Sequence, residues 1–345
     1  MQYSHGGDVW GREVRLDFSA NLNPLGMPES VRRAAASAAA AAERYPDPLC
    51  RDLRSGIARR DGVAPEQVLC GNGAADLIFR LGPALRPRRV LVTAPTFSEY
   101  RQSMELAGCQ VEEYTLQADK GFDLTEDYLE RLEDGLDAVF LCTPNNPTGR
   151  PISQGMMEQI LRRCAAKGIR VVADECFLEL SDGAGPGLAP LLEEFPNLLL
   201  LRAFTKSYAM AGLRLGYCLS ADRALLERMA RCAQPWSVSA PAQAAGLAAL
   251  KEPSWPEQAR ALIRAERAWI AAELERIPVK VFCSTVNYLL FQAAGVTDLK
   301  DRLLERGILI RACANYSGLG PDYYRVAVRP HAENEALVAA MKEVL

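Results

Sequence analysis

The chain has 345 residues, of which 49% are hydrophobic and 24% are charged, and its formal net charge is -3. This composition is typical of a globular protein with a large core and more than one domain, and it argues against a mainly disordered chain. Lys and Arg are dispersed along the sequence, which argues against a nucleic-acid-binding surface, although a few buried Arg can still bind small anions.

The N-terminal sequence, MQYSHGGDVWGREVRLDF, is polar and rich in glycine, and no basic segment precedes an apolar one. We therefore expect no signal peptide here and a fold that starts near this point. No segment approaches the roughly 20 apolar residues that cross a bilayer. These features predict a soluble protein of the cytoplasm that makes no contact with a membrane.

Cysteine and histidine content limits the kinds of site that the chain can build. The ten cysteines lie in apolar segments without a CxxC pair, which predicts reduced and mostly buried thiols. His5 and His331 are the two histidines, which is little material for a zinc site or a Ser-His-Asp triad. We therefore predict no metal site and expect the chemistry to depend on a bound organic cofactor.

The first predicted elements are a helix and a sheet. The sequence PESVRRAAASAAAAAERYP predicts a helix that begins after Pro28 and ends before Pro46. Between residues 68 and 220, short β-rich runs alternate with amphipathic segments, which predicts an α/β fold with a mainly parallel sheet covered by helices. These runs are RRVLVTAP, CQVEEYTL, DAVFLCTP, GIRVVADE, NLLLLRAF and LGYCLS.

The remainder of the chain predicts a second, smaller unit. Residues 254–276 predict a long amphipathic helix that leads out of the sheet domain. The segments VKVFCSTVNYLLFQ, GILIRAC and YYRVAVR, together with a helix near 297–306 and a last helix, predict a small α+β domain. We expect an N-terminal arm at 1–30 that packs with the small domain, a large domain at 31–250 and the small C-terminal domain at 251–345.

Polar and glycine-rich segments follow the predicted strands. Because the active groups of parallel sheets lie at the carboxyl ends of the strands, these segments predict the functional site. They are GNGAAD from residue 71, APTFSEY from 94, CTPNNPTG from 142, ADECF from 173, and Lys206.

Lys206 follows the apolar run NLLLL, which should be buried in a parallel sheet. A buried ammonium is costly, so this lysine either extends its amine to solvent, which is the commoner case, or has a lowered pKa. In the second case its neutral amine can condense with the aldehyde of a cofactor.

Three other residues at the strand ends each have a structural and a functional interpretation. Asp174 ends the run IRVVAD, where it caps a turn or keeps the ring nitrogen of a heteroaromatic cofactor protonated. Asn146 precedes a proline and is either a turn residue or an amide donor to a phenolate oxygen on that ring. Phe97 is either a core residue or a ring that stacks on a planar ligand.

Groups that could bind anions are present in two further places. The segment GNGAAD places Gly73, Ala74 and Ala75 before a helix, so the free N–H groups of the first helical turn would face an anion such as phosphate. Arg311 and Arg325 lie within apolar strands and should need a carboxylate or phosphate partner there.

The order of NPTG, DE and TK, with Arg214 eight residues after the lysine, resembles the fold-type-I pyridoxal 5'-phosphate (PLP) enzymes of the aminotransferase class. The resemblance implies the PLP-dependent transferase-like fold. Within the class the chain is most similar to decarboxylases of phosphorylated amino acids, which are themselves similar to histidinol-phosphate aminotransferases. The segments that carry the resemblance are HGGD, LDFSANLNPLGMP, ERYPDP, FLCTPNNPTG, QPWSVSA and LIRACANYSGLGPDYYRVAVR.

The resemblance implies a role for each candidate residue. Lys206 and Asp174 would be the catalytic residues, the first bound to the cofactor aldehyde and the second to its ring nitrogen. The other cofactor contacts would come from Gly73, Ala74, Ala75, Phe97, Asn146, Thr205 and Arg214, and from Tyr45 of the second subunit of a homodimer with shared active sites. The phosphate and carboxylate of the substrate would contact His5, Asn21, Asn146, Arg311 and Arg325.

The chain departs from the usual aminotransferase pattern at three places. Ala203 replaces a hydroxyl residue three positions before the lysine, and Ala74 and Ala75 stand where a polar side chain is usual. Both departures predict a cofactor phosphate held mainly by backbone N–H groups and Arg214, with lower PLP affinity. Phe177 replaces a tyrosine of the aminotransferases and matches the decarboxylases, so it favours decarboxylation.

Three alternatives stay open on the sequence alone. The first is an aminotransferase that acts on histidinol phosphate or an aromatic amino acid. The second is a PLP-binding protein with a regulatory role, although no attached DNA-binding segment is visible. The third is a doubly wound domain that binds no PLP.

Overall fold

The computed structural model describes residues 5–183 and 185–345, and the elements below are those of these ranges. The helices are α1 (Glu29–Ala39), α2 (Arg51–Asp61), α3 (Ala74–Leu85), α4 (Glu99–Leu106), α5 (Gln154–Ala166), α6 (Phe204–Ser207), α7 (Arg223–Arg231), α8 (Ala240–Ala249), α9 (Ser254–Leu274), α10 (Leu299–Leu304) and α11 (His331–Val344). The strands are β1 (Leu16–Asp17), β2 (Val68–Gly71), β3 (Arg89–Ala94), β4 (Gln110–Thr115), β5 (Ala138–Cys142), β6 (Arg170–Asp174), β7 (Leu198–Ala203), β8 (Gly216–Ser220), β9 (Lys280–Val281), β10 (Tyr288–Gln292), β11 (Ile308–Leu309), β12 (Arg311–Ala312) and β13 (Tyr323–Ala327).

The large sheet has seven strands in the order β2-β8-β7-β6-β5-β3-β4. Strand β8 runs antiparallel to both of its neighbours, and the other pairs within the sheet are parallel. The predicted α/β class with a mainly parallel sheet is therefore confirmed. The six runs named from the sequence form β3 to β8.

Helices cover both faces of this sheet, which explains why its central strands are apolar along their whole length. On one face, Leu199 and Leu201 of β7 pack in a core with residues of α3, α4 and α7. On the other face, Leu198 and Leu200 pack in a core with residues of α2, α5 and α8. Alternate residues of one strand thus belong to different cores, as the two-residue period of a strand requires.

A second sheet lies in the C-terminal part of the chain. Strands β12, β13, β10 and β9 pair in that order and are antiparallel, and a third core joins this sheet to α9, α10 and α11. Strand β1 pairs in parallel with β11, so the N-terminal segment contacts the C-terminal unit. The domain boundaries at residues 30 and 250 stay a prediction.

Two elements differ from the sequence-based expectation. Helix α1 ends at Ala39 and does not continue to Pro46, because residues 40–45 are exposed and offer no apolar face to pack. The segment GILIRAC forms two short strands, of which β11 pairs with β1 and β12 pairs with β13. The long helix predicted at 254–276 is α9, and the helix predicted near 297–306 is the shorter α10.

Seven of the ten cysteines are buried and none forms a disulfide, in agreement with the prediction of buried thiols. Across the described ranges, no helix combines the length and the apolar character that a membrane span requires.

Candidate active site

A cavity of about 420 Å³ lies at the carboxyl edge of the large sheet, where it also contacts the small sheet. Most of the predicted site residues line it, although they come from distant parts of the sequence. These are His5, Asn21, Ala74, Ala75, Phe97, Asn146, Asp174, Thr205, Lys206, Arg214, Arg311 and Arg325.

Two predicted residues lie outside the cavity wall. Gly73 is the residue before the first turn of α3, directly beside the cavity. Tyr45 lies on the surface with 77% of its area exposed, and its ring stacks on Trp236 at a centroid distance of 4.3 Å. Within one subunit, therefore, the structure does not bring Tyr45 to the other candidates.

Lys206 lies in α6, the short helix that follows the buried strand β7. Burial lowers the pKa of its ammonium to about 8, and the positive charges of Arg325 and Arg214 act in the same direction. The ammonium lies 5.6 Å from the ring centroid of Phe177. A tyrosine at position 177 would add a hydroxyl to this ring. Lys206 therefore supplies a neutral amine in useful amount near neutral pH.

Asp174 is the last residue of β6 and is buried at 5% exposure. One carboxylate oxygen accepts a hydrogen bond from the Tyr100 hydroxyl at 2.6 Å, and the other accepts from the Cys176 backbone N–H at 2.9 Å. Burial raises the pKa of Tyr100 well above its ordinary value, so this phenol keeps its proton and stays a donor. The carboxylate is thus held in one orientation at the cavity wall.

An anion cradle lies at the start of α3. Gly73 has a φ of +84°, and a Cβ on it would lie 2.7 Å from Nη2 of Arg214, so a side chain at this position would displace the guanidinium. Likewise, a Cβ on Gly216 would lie 2.4 Å from the backbone N of Ala74. The chain thus keeps the first N–H groups of α3 and the Arg214 guanidinium close together, an arrangement that suits a phosphate.

Arg325 of β13 is buried at 5% exposure among neutral acceptors. Its Nη2 donates to the backbone oxygen of Ser19 at 3.0 Å, and its Nη1 donates to Oδ1 of Asn146. With the Asn21 amide oxygen turned toward it, the guanidinium also donates to that oxygen at 3.2 Å. Its ring neighbour is Tyr288, at 5.3 Å.

Arg311 of β12 lies opposite Arg325 in the sheet register. It donates to Oδ1 of Asn315 at 2.6 Å and to the backbone oxygen of Ala312 at 2.7 Å, and it lies over the ring of Tyr316 at 5.3 Å. Within the described ranges, neither arginine forms an ion pair with a carboxylate. The cavity thus contains two buried positive charges that can bind an anion.

Several residues of the cavity were not singled out from the sequence. Tyr316 donates to Oδ1 of Asn146 at 3.3 Å, Tyr100 contacts Asp174, and Glu99 lies against His5. Neither tyrosine was named as a site residue, although Tyr100 ends the segment APTFSEY. The position of SEY directly after the strand end APTF was the available signal for Glu99 and Tyr100.

The sequence profile of the aminotransferase class I and II family matches residues 13–341 of the chain. A threonine-phosphate decarboxylase of Salmonella typhimurium is 42% identical over 99% of this chain and 96% of its own length. A histidinol-phosphate aminotransferase of Symbiobacterium thermophilum is 36% identical, over 96% of this chain and 90% of its own length.

Two solved structures share the fold. The histidinol-phosphate aminotransferase from Clostridium acetobutylicum superposes with a TM-score of 0.88 at 27% identity, over 95% of this chain and 98% of its own. The L-threonine-O-3-phosphate decarboxylase from Porphyromonas gingivalis superposes with a TM-score of 0.85 at 24% identity, over 95% of this chain and 99% of its own.

Proposed function

This chain belongs to the aminotransferase class I and II family, and from that premise we propose that it decarboxylates L-threonine O-3-phosphate. The products would be CO2 and (R)-1-amino-2-propanol O-2-phosphate, which supplies the linker of the cobalamin nucleotide loop. The observation that carries the proposal is the pair of buried arginines, Arg311 and Arg325, that share a cavity with Lys206 and have no carboxylate partner within the described ranges. The identity with the Salmonella typhimurium decarboxylase supports the same reaction.

The enzyme depends on pyridoxal 5'-phosphate, and the residues present fit this group. The start of α3 beside Gly73, together with Arg214, would hold its phosphate, and Asp174 would contact its ring nitrogen. Lys206 would hold its aldehyde carbon. When bound, PLP supplies an aldehyde that condenses with amines and a ring that stabilises negative charge at the substrate α-carbon.

The charges of the cavity match a phosphorylated amino acid. This substrate carries a carboxylate and a phosphate, and the guanidinium groups of Arg311 and Arg325 can each form charge-assisted hydrogen bonds with one of them. His5 and Asn21 would complete the contacts to these anions. Because two anions are fixed at once, the arginines would also decide which bond of the α-carbon is presented for cleavage.

Lys206 is the best candidate to return a proton to the α-carbon. With a pKa of about 8, its amine is populated in both protonation states near neutral pH, so Nζ can hold or release a proton. Burial raises the pKa of the tyrosines that line the same cavity, Tyr100 and Tyr316, which makes their phenols weaker acids. This difference favours the lysine over a tyrosine.

We also propose a homodimer in the cytoplasm in which Tyr45 of each subunit reaches the cofactor of the other. Tyr45 and Trp236 form a stacked, exposed aromatic pair that suits burial against a second copy of the chain.

A histidinol-phosphate aminotransferase is the second candidate, because the chain is 36% identical to the enzyme of Symbiobacterium thermophilum. Phe177, whose ring lies against the Lys206 amine, argues for the decarboxylase. Aminotransferases usually carry a tyrosine at this position, and Phe177 lacks its hydroxyl. L-serine O-phosphate is a competing substrate of the decarboxylase, because the missing methyl is worth only about 1–3 kcal/mol in an apolar pocket.

Incubation of the purified holoenzyme with L-threonine phosphate tests the proposal. We expect release of CO2 and aminopropanol phosphate without an added oxo acid, and no release by a Lys206→Ala variant. Turnover that requires 2-oxoglutarate and yields no CO2 would show an aminotransferase instead. A comparison of kcat/KM for the threonine and serine phosphates would then identify the preferred substrate.

A further inference from the structure

Glu99 is a buried carboxylate in the substrate cavity that the roles above do not use. The residue is 7% exposed and lines the same cavity as Lys206, Arg311 and Arg325. It lies in the first turn of α4, near the sheet edge that carries the site. A carboxylate in a cavity that binds phosphate opposes that binding by like-charge repulsion unless a cation lies between them.

His5 is the residue that contacts this carboxylate. Its Nε2 lies 2.7 Å from Oε1 of Glu99, and its ring lies 6.1 Å from the ring of Phe97. The second carboxylate oxygen of Glu99 accepts from the hydroxyl of Ser98 at 3.3 Å. A carboxylate held in this way fixes the orientation of the imidazole.

The residues after His5 keep it at the cavity. A Cβ on Gly6 would lie only 2.1 Å from the backbone oxygen of Ser19, so the chain can approach this segment closely only with a glycine there. The N–H of Gly7 donates to the hydroxyl of Ser19 at 2.7 Å. Because the same Ser19 also accepts from Arg325 at 3.0 Å, His5 and Arg325 are anchored on one short segment.

We propose that Glu99 is a positioning residue for the substrate phosphate. It holds the imidazole of His5 in place, and His5 in turn separates the Glu99 charge from the substrate. This inference rests on the phosphate-binding cavity of the proposed function. It has a specific consequence: the sign of the effect of removing the Glu99 charge depends on the presence of His5.

Binding of inorganic phosphate to the holoenzyme, measured by isothermal titration calorimetry, tests this sign, because the enzyme does not consume this anion. We expect Glu99→Gln to weaken binding by about tenfold, because His5 loses its anchor, and His5→Asn to weaken it more. In the His5→Asn background, Glu99→Gln should strengthen binding by several-fold, because it removes an unscreened negative charge. For Glu99→Gln, the KM should follow the dissociation constant, and kcat should change by less than about twofold.

Glu105→Gln is the matched control. Glu105 lies on the same helix, but its carboxylate pairs with Arg101 at 2.7 Å on the exposed side. We expect this variant to bind phosphate as the unmodified enzyme does. Thermal melting and PLP absorbance establish that each variant is folded and loaded.

If Glu99→Gln does not fold, His5→Lys provides the second test, because it replaces the imidazole by a cation that Glu99 can still contact. Binding within about threefold of the unmodified enzyme supports the proposal. Binding as weak as that of His5→Asn overturns it.

Equal weakening by Glu99→Gln with and without His5 would show a structural role and overturn the proposal, as would an effect on kcat alone. The two proposals fail separately. Sign reversal in binding without CO2 release contradicts the decarboxylase function and supports the role of Glu99. CO2 release without sign reversal supports the decarboxylase function and contradicts the role of Glu99.

Discussion

Three effects converge on the amine of Lys206. Burial, the charge of Arg325 and the charge of Arg214 all disfavour the ammonium, in that order of size, and opposing effects come from Cys176 and Asp174. The residues of this chain around Lys206 therefore favour its neutral amine even without the cofactor.

The apoprotein should accordingly take up PLP faster as the pH rises through about 8, because the neutral amine is the form that condenses with an aldehyde. The sign follows from the lowered pKa: a larger fraction of the amine is neutral above 8 than below it. Stopped-flow absorbance of the covalently bound cofactor measures this rate.

Arg325→Met should move the midpoint of that profile upward, since one opposing charge is lost. Lys206→Ala should show no covalent absorbance. A profile of the unmodified protein centred near the ordinary lysine value of 10.5 would contradict the interpretation.

Ala203 gives a second prediction at the scale of one residue. It lines the cavity together with Thr205 and Arg214 but offers no hydrogen bond. Ala203→Ser should lower the dissociation constant of PLP by up to about tenfold, because a hydrogen bond to a charged group contributes roughly 1.5 kcal/mol or more. Equilibrium dialysis of apoprotein with PLP measures this, and unchanged or weaker affinity would count against a phosphate near residue 203. Ala42→Ser, on the exposed surface, is the control.

Sequence patterns predicted that Lys206, Asp174 and Arg325 would lie in one site, and the three residues line one cavity. The prediction was possible because each lies in or directly after a recognisable strand. They did not predict the partners that fix those residues. Tyr100 looks like a core aromatic because a burial pattern does not record where a hydroxyl points. Glu99 looks like the acidic first turn of a helix, and its contact with His5 joins segments far apart in the sequence.

At the scale of elements, the ends of β6 and β7 are joined by an ion pair. Glu175, directly after Asp174, accepts from Nε and Nη2 of Arg202 at 2.9 and 2.7 Å; the Glu175 side chain is buried, and that of Arg202 is 11% exposed. Arg202 also pairs with Asp61 of α2 at 3.2 Å. Because β6 and β7 carry Asp174 and lead to Lys206, this pair lies close to the geometry of the site.

Breaking the pair should destabilise the fold strongly. Arg202→Met leaves the Glu175 carboxylate buried without its partner, and we expect a loss of about 3–5 kcal/mol of unfolding free energy in urea. The double variant with Glu175→Gln should recover part of this loss, because it removes the orphaned charge. Arg162→Met, which breaks the exposed pair with Glu194, should cost at most about 1 kcal/mol. Equal losses for the buried and exposed pairs would contradict this account.

The strands of the large sheet were predictable because both of their faces are buried, which leaves continuous apolar runs between turn residues. The end of α1 was not predictable in the same way. Its alanine run has high helix propensity as far as Ala42, but Val31 is its buried residue and the chain leaves the helix at Ala39. Propensity without a packed face does not decide a boundary.

At the scale of the whole molecule, the α/β class and the separate C-terminal sheet followed from the order of the patterns. The proposed contact of Tyr45 with a second subunit did not, because an exposed side chain in one chain does not show what it contacts. Its 77% exposure is what the proposed homodimer has to explain.

Shared active sites make a quantitative prediction for hybrid dimers. If Tyr45 acts in the opposite subunit, a heterodimer of Tyr45→Ala and Lys206→Ala chains has one intact site and one site with both defects. Equal mixing after reversible dissociation should then restore about a quarter of the normal activity, since about half of the dimers are hybrids. Activity is measured as CO2 release. No gain over the separate variants would place Tyr45 outside the shared site.

The alternation of β7 between two separate cores has a consequence for how such sequences diverge. Leu198 and Leu200 pack against one set of helices, and Leu199 and Leu201 pack against another. Each face of the strand can therefore accept compensating substitutions without disturbing the packing of the other face. The backbone pairing of β7 with β6 and β8 meanwhile keeps the ends of these strands in register. Packing can therefore change on one side of the strand while the other side stays as it is, which fits the overall superposition with the Clostridium acetobutylicum enzyme at 27% identity.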